Sequence, residues 1–251
     1  MIEVHVIASG SDGNCTVIQL DDEAVMIDAG LSYRQTHKLL DQEGVDEHLI
    51  KNLLITHEHS DHVAGAGPVS RKLGVPLLCN RATFQAFSPG AVDYREIRTM
   101  GSFCLGQMEV VPLPTSHEAV EPNAFLVRAD GRSVLVATDT GTLTFPCVEA
   151  LREADLAVIE SNYDQQMLQE GPYPPSLKKL IASDRGHMCN VATAAAIKMT
   201  QNKERQIFLA HLSKTNNTPD VARETVAQIS GIRRMKLDCL EFPGDTRTLR
   251  V

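Results

Sequence analysis

The residues best suited to chemistry form one short cluster, His57-Glu58-His59-Ser60-Asp61-His62, which places three imidazoles and the Asp61 carboxylate within six positions. Zn²⁺, Mn²⁺ and Fe²⁺ all accept neutral imidazole and carboxylate ligands, so the cluster predicts a metal site. Alternate residues of an extended segment point the same way, and a following helical turn redirects the next two, so one such loop can serve two neighbouring ions. The alternative, a hydrogen-bonded histidine pair among ordinary surface charges, would not need this density of ligands.

Secondary-structure elements must position these residues. The pattern of apolar residues predicts strands interleaved with helices. Strand signals cover residues 3–8, 16–20, 24–29, 52–56, 76–79, 108–113, 124–129, 133–138, 156–160 and 206–212, with a last strand pair at 237–242 and 247–251. Helices are predicted at 32–42, 63–73, 175–182, 190–201 and from Pro219 onward. Ser32, Asn190 and Thr218 are the expected N-caps, and Pro68 should bend or interrupt the second helix. No repeat or linker marks a boundary, so we expect a single domain over residues 1–251 without a separate cap domain.

The composition is that of a globular protein, with 43% hydrophobic and 22% charged residues. The first residues lack a basic region followed by an apolar stretch, and no segment is long enough to span a bilayer, so we expect a cytoplasmic protein without membrane contact. Six cysteines without C-x-x-C pairs suit reduced thiols. The net charge of −8 counts against a broad phosphate-binding surface. Residues 176–214 nevertheless carry seven basic residues against two acidic ones, which fits either solvated helix faces or a phosphate track.

The spacing His57-x-His59-x-Asp61-His62 resembles the HxHxDH motif of the metallo-β-lactamase superfamily. Within that superfamily the run at 8–15 (ASGSDGNC) and the loop at 186–190 (GHMCN) resemble the YycJ/WalJ-type exonucleases, and the match extends over nearly the whole chain. The resemblance implies an α/β fold, a four-layer αββα metallo-β-lactamase sandwich. Two departures from the family pattern are Cys189 in place of the usual Ser and Tyr163 where some members carry His.

The resemblance also implies two divalent ions, Zn²⁺, Mn²⁺ or Fe²⁺, and assigns their ligands. His57, His59 and His117 would hold the first ion. Asp61, His62 and His211 would hold the second, and Asp139 would bridge both. Asp28 matches the first motif of the fold and should support the site, although an Asx turn before Gly30 explains it equally well from the local sequence.

Characterised members of the YycJ/WalJ-type family are metal-dependent 5′ to 3′ exodeoxyribonucleases that act on single-stranded DNA, which is therefore the expected partner and reaction. A hydroxide shared by the ions would attack phosphorus, with Asp61 orienting it. His187 lies beside the start of a predicted helix, so it is the candidate to clamp phosphate or protonate the leaving group, with a structural role as the alternative. Further donors for the substrate end are expected from the polar loops, namely from Ser9, Ser11, Asn14, Asn190, Ser213, Asn216 and Asn217.

Other functions stay open from the sequence. A phosphodiesterase for small cyclic substrates, or a thioesterase or lactonase of the same fold, would use the same ligands. A regulatory metal protein that has lost catalysis is disfavoured because all seven expected ligands are present. Aromatic residues are only 4% of the chain, so any base stacking would rest on a few residues such as Phe84, Phe87 or Tyr163. The sequence predicts no oligomeric state.

Overall fold

The apolar runs of the sequence form two sheets that face each other. The computed structural model describes residues 1–242 and 244–251. The first sheet has the strand order β14-β1-β2-β3-β4-β5-β6 and the second the order β13-β12-β11-β10-β9-β8-β7. The strands of the first sheet are β1 (Ile2–Ala8), β2 (Cys15–Leu20), β3 (Glu23–Ile27), β4 (Ile50–Leu54), β5 (Leu77–Cys79), β6 (Tyr94–Glu96) and β14 (Arg247–Arg250). Those of the second are β7 (Phe103–Leu105), β8 (Met108–Pro114), β9 (Asn123–Ala129), β10 (Arg132–Ala137), β11 (Leu156–Glu160), β12 (Gln206–Ala210) and β13 (Leu237–Asp238).

Helices cover the outer face of each sheet. They are α1 (Tyr33–Glu43), α2 (Ser60–Val63), α3 (Ala66–Leu73), α4 (Arg81–Ala86), α5 (Phe145–Glu153), α6 (Gln165–Glu170), α7 (Pro175–Ile181), α8 (Asn190–Thr200) and α9 (Pro219–Ser230), with short 3₁₀ helices at Glu47–Leu49 and Arg234–Lys236. One apolar cluster fills the space between the sheets. A second lies under α5, α8 and α9, and a third under α1 and α3. The predicted four-layer αββα sandwich is therefore confirmed. No helix of the described residues is long and apolar enough to cross a membrane.

The helix predicted at 63–73 is wrong in its start and in its break. It is two helices, α2 and α3, and they separate at Gly65 rather than at Pro68. A Cβ on Gly65 would lie 1.8 Å from the Leu31 carbonyl oxygen, and the Gly65 amide donates to Ala29 O at 2.8 Å, so the chain turns where it packs against its neighbour. Pro68 is in the first turn of α3, where a backbone N–H has no partner within the helix.

The predicted pairing of the last two strands is also wrong. β13 is only two residues long and runs parallel to β12 in the second sheet, whereas β14 pairs with β1 in the first sheet. Two adjacent runs suggest a hairpin by sequence alone, but β1 and β12 each offered an open edge to one of them. The strands β6 and β7 and the helices α4, α5 and α6 were not predicted. Each of the two strands has three residues, too few to show alternation.

Close backbone packing joins the first sheet to the His57–His62 loop at Gly30. A Cβ on Gly30 would lie 1.7 Å from the Asp61 carbonyl oxygen and 2.8 Å from the Asn14 amide nitrogen. Since both neighbours are backbone atoms, we expect Gly30→Ala to lower the free energy of unfolding by about 3 kcal/mol and to displace Asp61. Urea denaturation measures the first effect, and metal content after dialysis measures the second.

The matched control for Gly30→Ala is Gly131→Ala in the β9–β10 turn. Gly131 has a φ of 69°, and a Cβ added there would meet no atom within 4 Å, so its substitution should cost only the left-handed backbone conformation, about 1 kcal/mol. Equal losses in the two variants would contradict the packing argument.

Candidate metal centre

The candidate ligands meet at one end of the sandwich because most of them follow the carboxyl ends of strands. His57 and His59 come after β4, His117 after β8, Asp139 after β10 and His211 after β12. Ligands from both sheets therefore converge on the same edge. Asp61 and His62 reach it from the short helix α2.

The first group contains His57, His59 and His117, whose nitrogen atoms lie within 4.8 Å of one another. His117 Nδ1 donates to Gly186 O at 3.0 Å and His59 Nε2 to Glu118 O at 3.1 Å. The remaining nitrogens, His117 Nε2 and His59 Nδ1, carry lone pairs and face each other at 3.3 Å. Such a pair has no proton to share, and a cation between the lone pairs would relieve their repulsion.

The second group contains Asp61, His62 and His211. His211 Nε2 and His62 Nε2 are each 3.4 Å from Asp61 Oδ2. Asp139 reaches both groups, since its Oδ2 is 3.0 Å from His62 Nε2 and its Oδ1 is 3.7 Å from His117 Nε2. The structure thus brings the seven residues together, with Asp139 between two sets of three.

Two buried atoms test whether these residues fit divalent ions. His57 Nε2 and Asp139 Oδ2 are buried and have no hydrogen-bond partner among the residues that the structure describes. Leaving such atoms unpaired is costly unless something absent from the chain satisfies them. Both are lone-pair donors pointing into the ligand groups, so the donor set fits two divalent cations of the Zn²⁺, Mn²⁺ or Fe²⁺ kind.

Charges within the centre favour metal binding over neutral packing. Burial, together with the imidazole of His62, holds the pKa of His57 well below its usual value, which preserves its lone pair. Burial alone would lower the pKa of His211, but Asp139, Asp61 and Glu160 raise it to about 10. A divalent ion at this position would replace that proton, so metal binding competes with protonation.

The backbone is left-handed at three residues of the centre that are not glycine. Asp28, Asp139 and His211 have φ values of 61°, 56° and 56°. Each such conformation costs about 1 kcal/mol for a side chain that does not require it. Three of them at one site indicate that the turns are held by the surrounding structure to aim these side chains.

Asp28 is hydrogen-bonded to His62. Its Oδ2 accepts from His62 Nδ1 at 2.7 Å and from Thr56 Oγ1 at 2.8 Å, and its Oδ1 accepts from the Thr56 amide at 2.8 Å. The bond to Nδ1 fixes the tautomer that leaves Nε2 free for an ion. Thr56 Oγ1 in turn accepts from His57 Nδ1 at 3.0 Å, so one carboxylate orients two candidate ligands.

We expect Asp28→Asn to weaken metal affinity by about 10- to 100-fold, because an amide cannot accept from all three of these donors as the carboxylate does. Competition with a chromogenic chelator measures the affinity. Asp22→Asn, at an exposed turn position, is the control and should leave the affinity unchanged. An Asp28→Asn protein with wild-type affinity would show that Asp28 only shapes its turn.

Glu160 is a residue of the centre that sequence reasoning missed. It is fully buried, and its Oε1 accepts from His187 Nδ1 at 2.7 Å and from His211 Nδ1 at 2.9 Å. Its Oε2 accepts from the Thr140 amide at 2.9 Å. Burial opposes the charge of Glu160, but the neighbouring His187 and His211 keep its pKa below the usual value. Its only sequence signal was a Glu at the end of a strand run, which is also common at solvated strand ends.

The candidate substrate residues fall into two groups. Ser11 is exposed, and Ser9 and Ser213 are half-buried, with Ser9 Oγ accepting from the His211 amide at 2.7 Å. The four asparagines are buried. Asn14 Nδ2 lies 3.1 Å from Asp61 Oδ2, so it contacts the metal centre.

The other three asparagines lie beneath the loops. Asn190 and Asn217 are bonded to each other through their side chains, at 2.9 and 3.0 Å, and Asn217 Nδ2 also donates to Ser161 O. The side-chain Nδ2 of Asn216 donates to Ser213 Oγ at 3.4 Å. These side chains hold the loops that carry His187 and His211.

The prediction that Asn190 caps α8 is wrong. Cys189 is the N-cap, its Sγ accepting from the Ala192 amide, and the Asn190 amide donates to Tyr163 O at 2.9 Å. The departure from Ser to Cys therefore changes a helix cap. Tyr163 is buried, and Phe84 stacks on Tyr94 at 3.9 Å between ring centroids and also contacts Phe87, so these aromatic rings are engaged within the fold.

Comparisons with known proteins identify the family of the chain. Residues 23–212 match the family described as the beta-lactamase superfamily domain. The chain is 36% identical over 234 residues to a Bacillus anthracis protein named exodeoxyribonuclease YycJ, covering 91% of this chain and 89% of that protein. It is 35% identical over 229 residues to exodeoxyribonuclease WalJ of Streptococcus pneumoniae strain D39, covering 88% and 85%.

Solved structures show the same fold. The metallo-β-lactamase fold protein YhfI from Bacillus subtilis superposes with a TM-score of 0.77 at 16% identity, covering 98% of this chain and 99% of that one. The short form of human tRNase Z gives 0.69 at 15% identity, covering 99% and 100%. The chain belongs to the metallo-β-lactamase superfamily and is a hydrolase of that family.

Proposed function

We propose that the protein is a 5′ to 3′ exodeoxyribonuclease that acts on single-stranded DNA with two divalent ions. The observation that carries the proposal is the Glu160–His187 pair beside two complete ligand groups, in a chain 36% identical to a relative named exodeoxyribonuclease. Hydrolysis of a phosphodiester needs a proton for the departing sugar oxygen, and a histidine held by a carboxylate can supply it. Location in the cytoplasm stays a prediction.

When bound, the ions would supply an activated water and neutralise charge on the phosphate oxygens. His57, His59 and His117 would hold one, Asp61, His62 and His211 the other, and Asp139 both. Asp61 has a side chain that is 19% exposed, so one edge of its carboxylate can orient the attacking water. Asn14 fixes that carboxylate through the contact of its Nδ2 with Oδ2.

His187 is placed to donate the proton. Its Nδ1 is bonded to Glu160, so its Nε2 is free, and 21% of its side chain is exposed. Burial lowers the pKa of His187, but the charge of Glu160 more than compensates and raises it above the usual value. A protonated imidazole at the edge of the centre fits the role of a general acid toward a leaving oxygen.

Recognition of the strand end is assigned to the loops beside the second ligand group. Ser9, Ser11 and Ser213 would donate to the terminal phosphate or sugar, with Asn14 next to the reacting phosphate. Asn190, Asn216 and Asn217 would act through the position of these loops. This division follows the exposure of the side chains.

The test is degradation of single- and double-stranded DNA labelled at the 5′ or the 3′ end, with Zn²⁺, Mn²⁺ and Fe²⁺ in turn and His59→Ala as the inactive control. We expect mononucleotides released from the 5′ end of linear single strands. Equal cleavage of circular single strands would contradict recognition of an end. Turnover of bis-p-nitrophenyl phosphate without action on any DNA or RNA would favour a small-molecule phosphodiesterase, and turnover of S-lactoylglutathione a thioesterase.

A further inference from the structure

Two exposed apolar side chains lie on the helices α5 and α7. Phe145 is 76% exposed at the start of α5, six residues after Asp139. Leu180 is 49% exposed near the end of α7. A single exposed apolar side chain is common on protein surfaces, but several of them together beside a functional site can mark a binding surface.

Backbone contacts place these two residues on adjoining segments. A Cβ on Gly141, in the loop between Asp139 and Phe145, would lie 2.3 Å from Ser183 O, just beyond α7. The His187 amide donates to Ile181 O at 2.9 Å, so the end of α7 also contacts the segment of the candidate acid. The segments that carry the two apolar side chains therefore adjoin each other and the loop of His187.

Basic residues stand beside them. Of the seven in residues 176–214, Lys203 pairs with Asp155, Lys214 pairs with Asp12, Arg205 is buried, and Lys198 lies in the last turn of α8. Lys178 Nζ donates to Gln169 O at 2.6 Å, which leaves Lys179, exposed on α7, and Arg185. Arg185 Nη2 donates to His117 O at 3.2 Å, which puts the guanidinium next to a candidate ligand.

Acidic side chains also lie near these basic residues, but they do not prevent a phosphate from binding. Arg185 Nε lies 3.3 Å from Glu118 Oε1, but both side chains are more than half exposed. An exposed pair of this kind contributes little free energy, so a phosphate oxygen can replace Glu118 as the partner of the guanidinium. Asp184 is exposed on the same segment.

We propose that Phe145, Leu180, Lys179 and Arg185 form a rim over which single-stranded DNA enters the metal centre. Bases would pack on the ring of Phe145 and the side chain of Leu180, and phosphates would contact Lys179 and Arg185. A surface with both apolar and cationic groups suits a single strand, whose bases are open to contact, better than a duplex, whose bases are stacked inside. The inference rests on the proposed function and names the path of its substrate.

The experiment measures kcat/KM on a labelled single-stranded 20-mer divided by kcat/KM on bis-p-nitrophenyl phosphate. We expect Phe145→Ala to lower this ratio about fivefold, the low end of what one base stacked on an aromatic ring contributes, and Phe145→Trp to restore it. Lys179→Ala should reduce the slope of log KM against log salt by about 0.7, the value for one phosphate contact on a single strand. Both positions are exposed, and thermal unfolding checks that the variants fold.

Met199→Ala and Lys198→Ala are the matched controls, since both residues are exposed in the last turn of α8, at the opposite end from His187. They should leave the ratio and the salt slope at the wild-type values. If the wild type degrades the 20-mer and Phe145→Ala has the wild-type ratio of kcat/KM values, the proposed rim is wrong. The nuclease proposal would then still stand. A wild type that turns over the small diester but no nucleic acid would overturn both.

Discussion

Replacing Asp139 with Asn is expected to lower hydrolysis by about a thousandfold or more and to reduce the bound metal below two equivalents. Loss of a residue that merely orients a ligand costs about 10- to 100-fold, and the residue that lies between both ligand groups should cost more. The Asp139 Oδ2 atom is buried, lies 3.0 Å from His62 Nε2, and has no hydrogen-bond partner within the described part of the chain. An amide keeps the size of the side chain but removes the charge that two dications require.

Metal content by mass spectrometry and turnover of bis-p-nitrophenyl phosphate check the Asp139→Asn prediction together. Added metal should raise the Tm of the wild type and not that of the variant, because only binding to the folded state stabilises it. Asp22→Asn serves as the control with the same change of charge at an exposed position. A variant that holds two equivalents of metal and retains its kcat would show that Asp139 does not bridge.

The largest loss of stability is expected from Phe208→Ala, about 3–5 kcal/mol in the free energy of unfolding. Phe208 lies on β12, which is paired on both sides, and its side chain is fully buried in the cluster between the sheets. The truncated side chain leaves a cavity that neighbouring strands cannot close, because their hydrogen-bonded ladders fix their positions. Urea denaturation monitored by circular dichroism gives the value.

Phe103→Ala is the comparison for Phe208→Ala, since Phe103 is a half-buried residue on the edge strand β7 and packs against the same cluster. It should cost about 1–2 kcal/mol, because less area is removed from contact and the edge can adjust. Equal losses at the two positions would mean that the centre of the sandwich is no more tightly packed than its border.

Local patterns predicted what local residues determine. The cluster at 57–62 is dense enough to indicate metal binding without any structure, and short apolar or alternating stretches predicted most strands to within a few positions. Thr144 followed two residues later by Pro146 is a helix signal that could have located α5.

Contacts between distant segments account for the rest. The role of Glu160 depends on His187 and His211, which lie 27 and 51 residues away. The break at Gly65 depends on the approach of Leu31, and the separation of the last two strands depends on which sheet edges are open. Burial of Asn190 and Asn217 follows from their mutual hydrogen bond. No spacing within a short window contains this information.

The convergence of ligands from both sheets has a consequence for the folding chain. An intermediate with only the first sheet formed would present His57, His59, Asp61 and His62, but not His117, Asp139 or His211, which follow strands of the second. The complete donor set exists only after the sheets have docked. Newly made chains would thus have no hydrolytic activity until the two sheets pack together. Ions bound by residues of both sheets would then stabilise the folded protein against their separation.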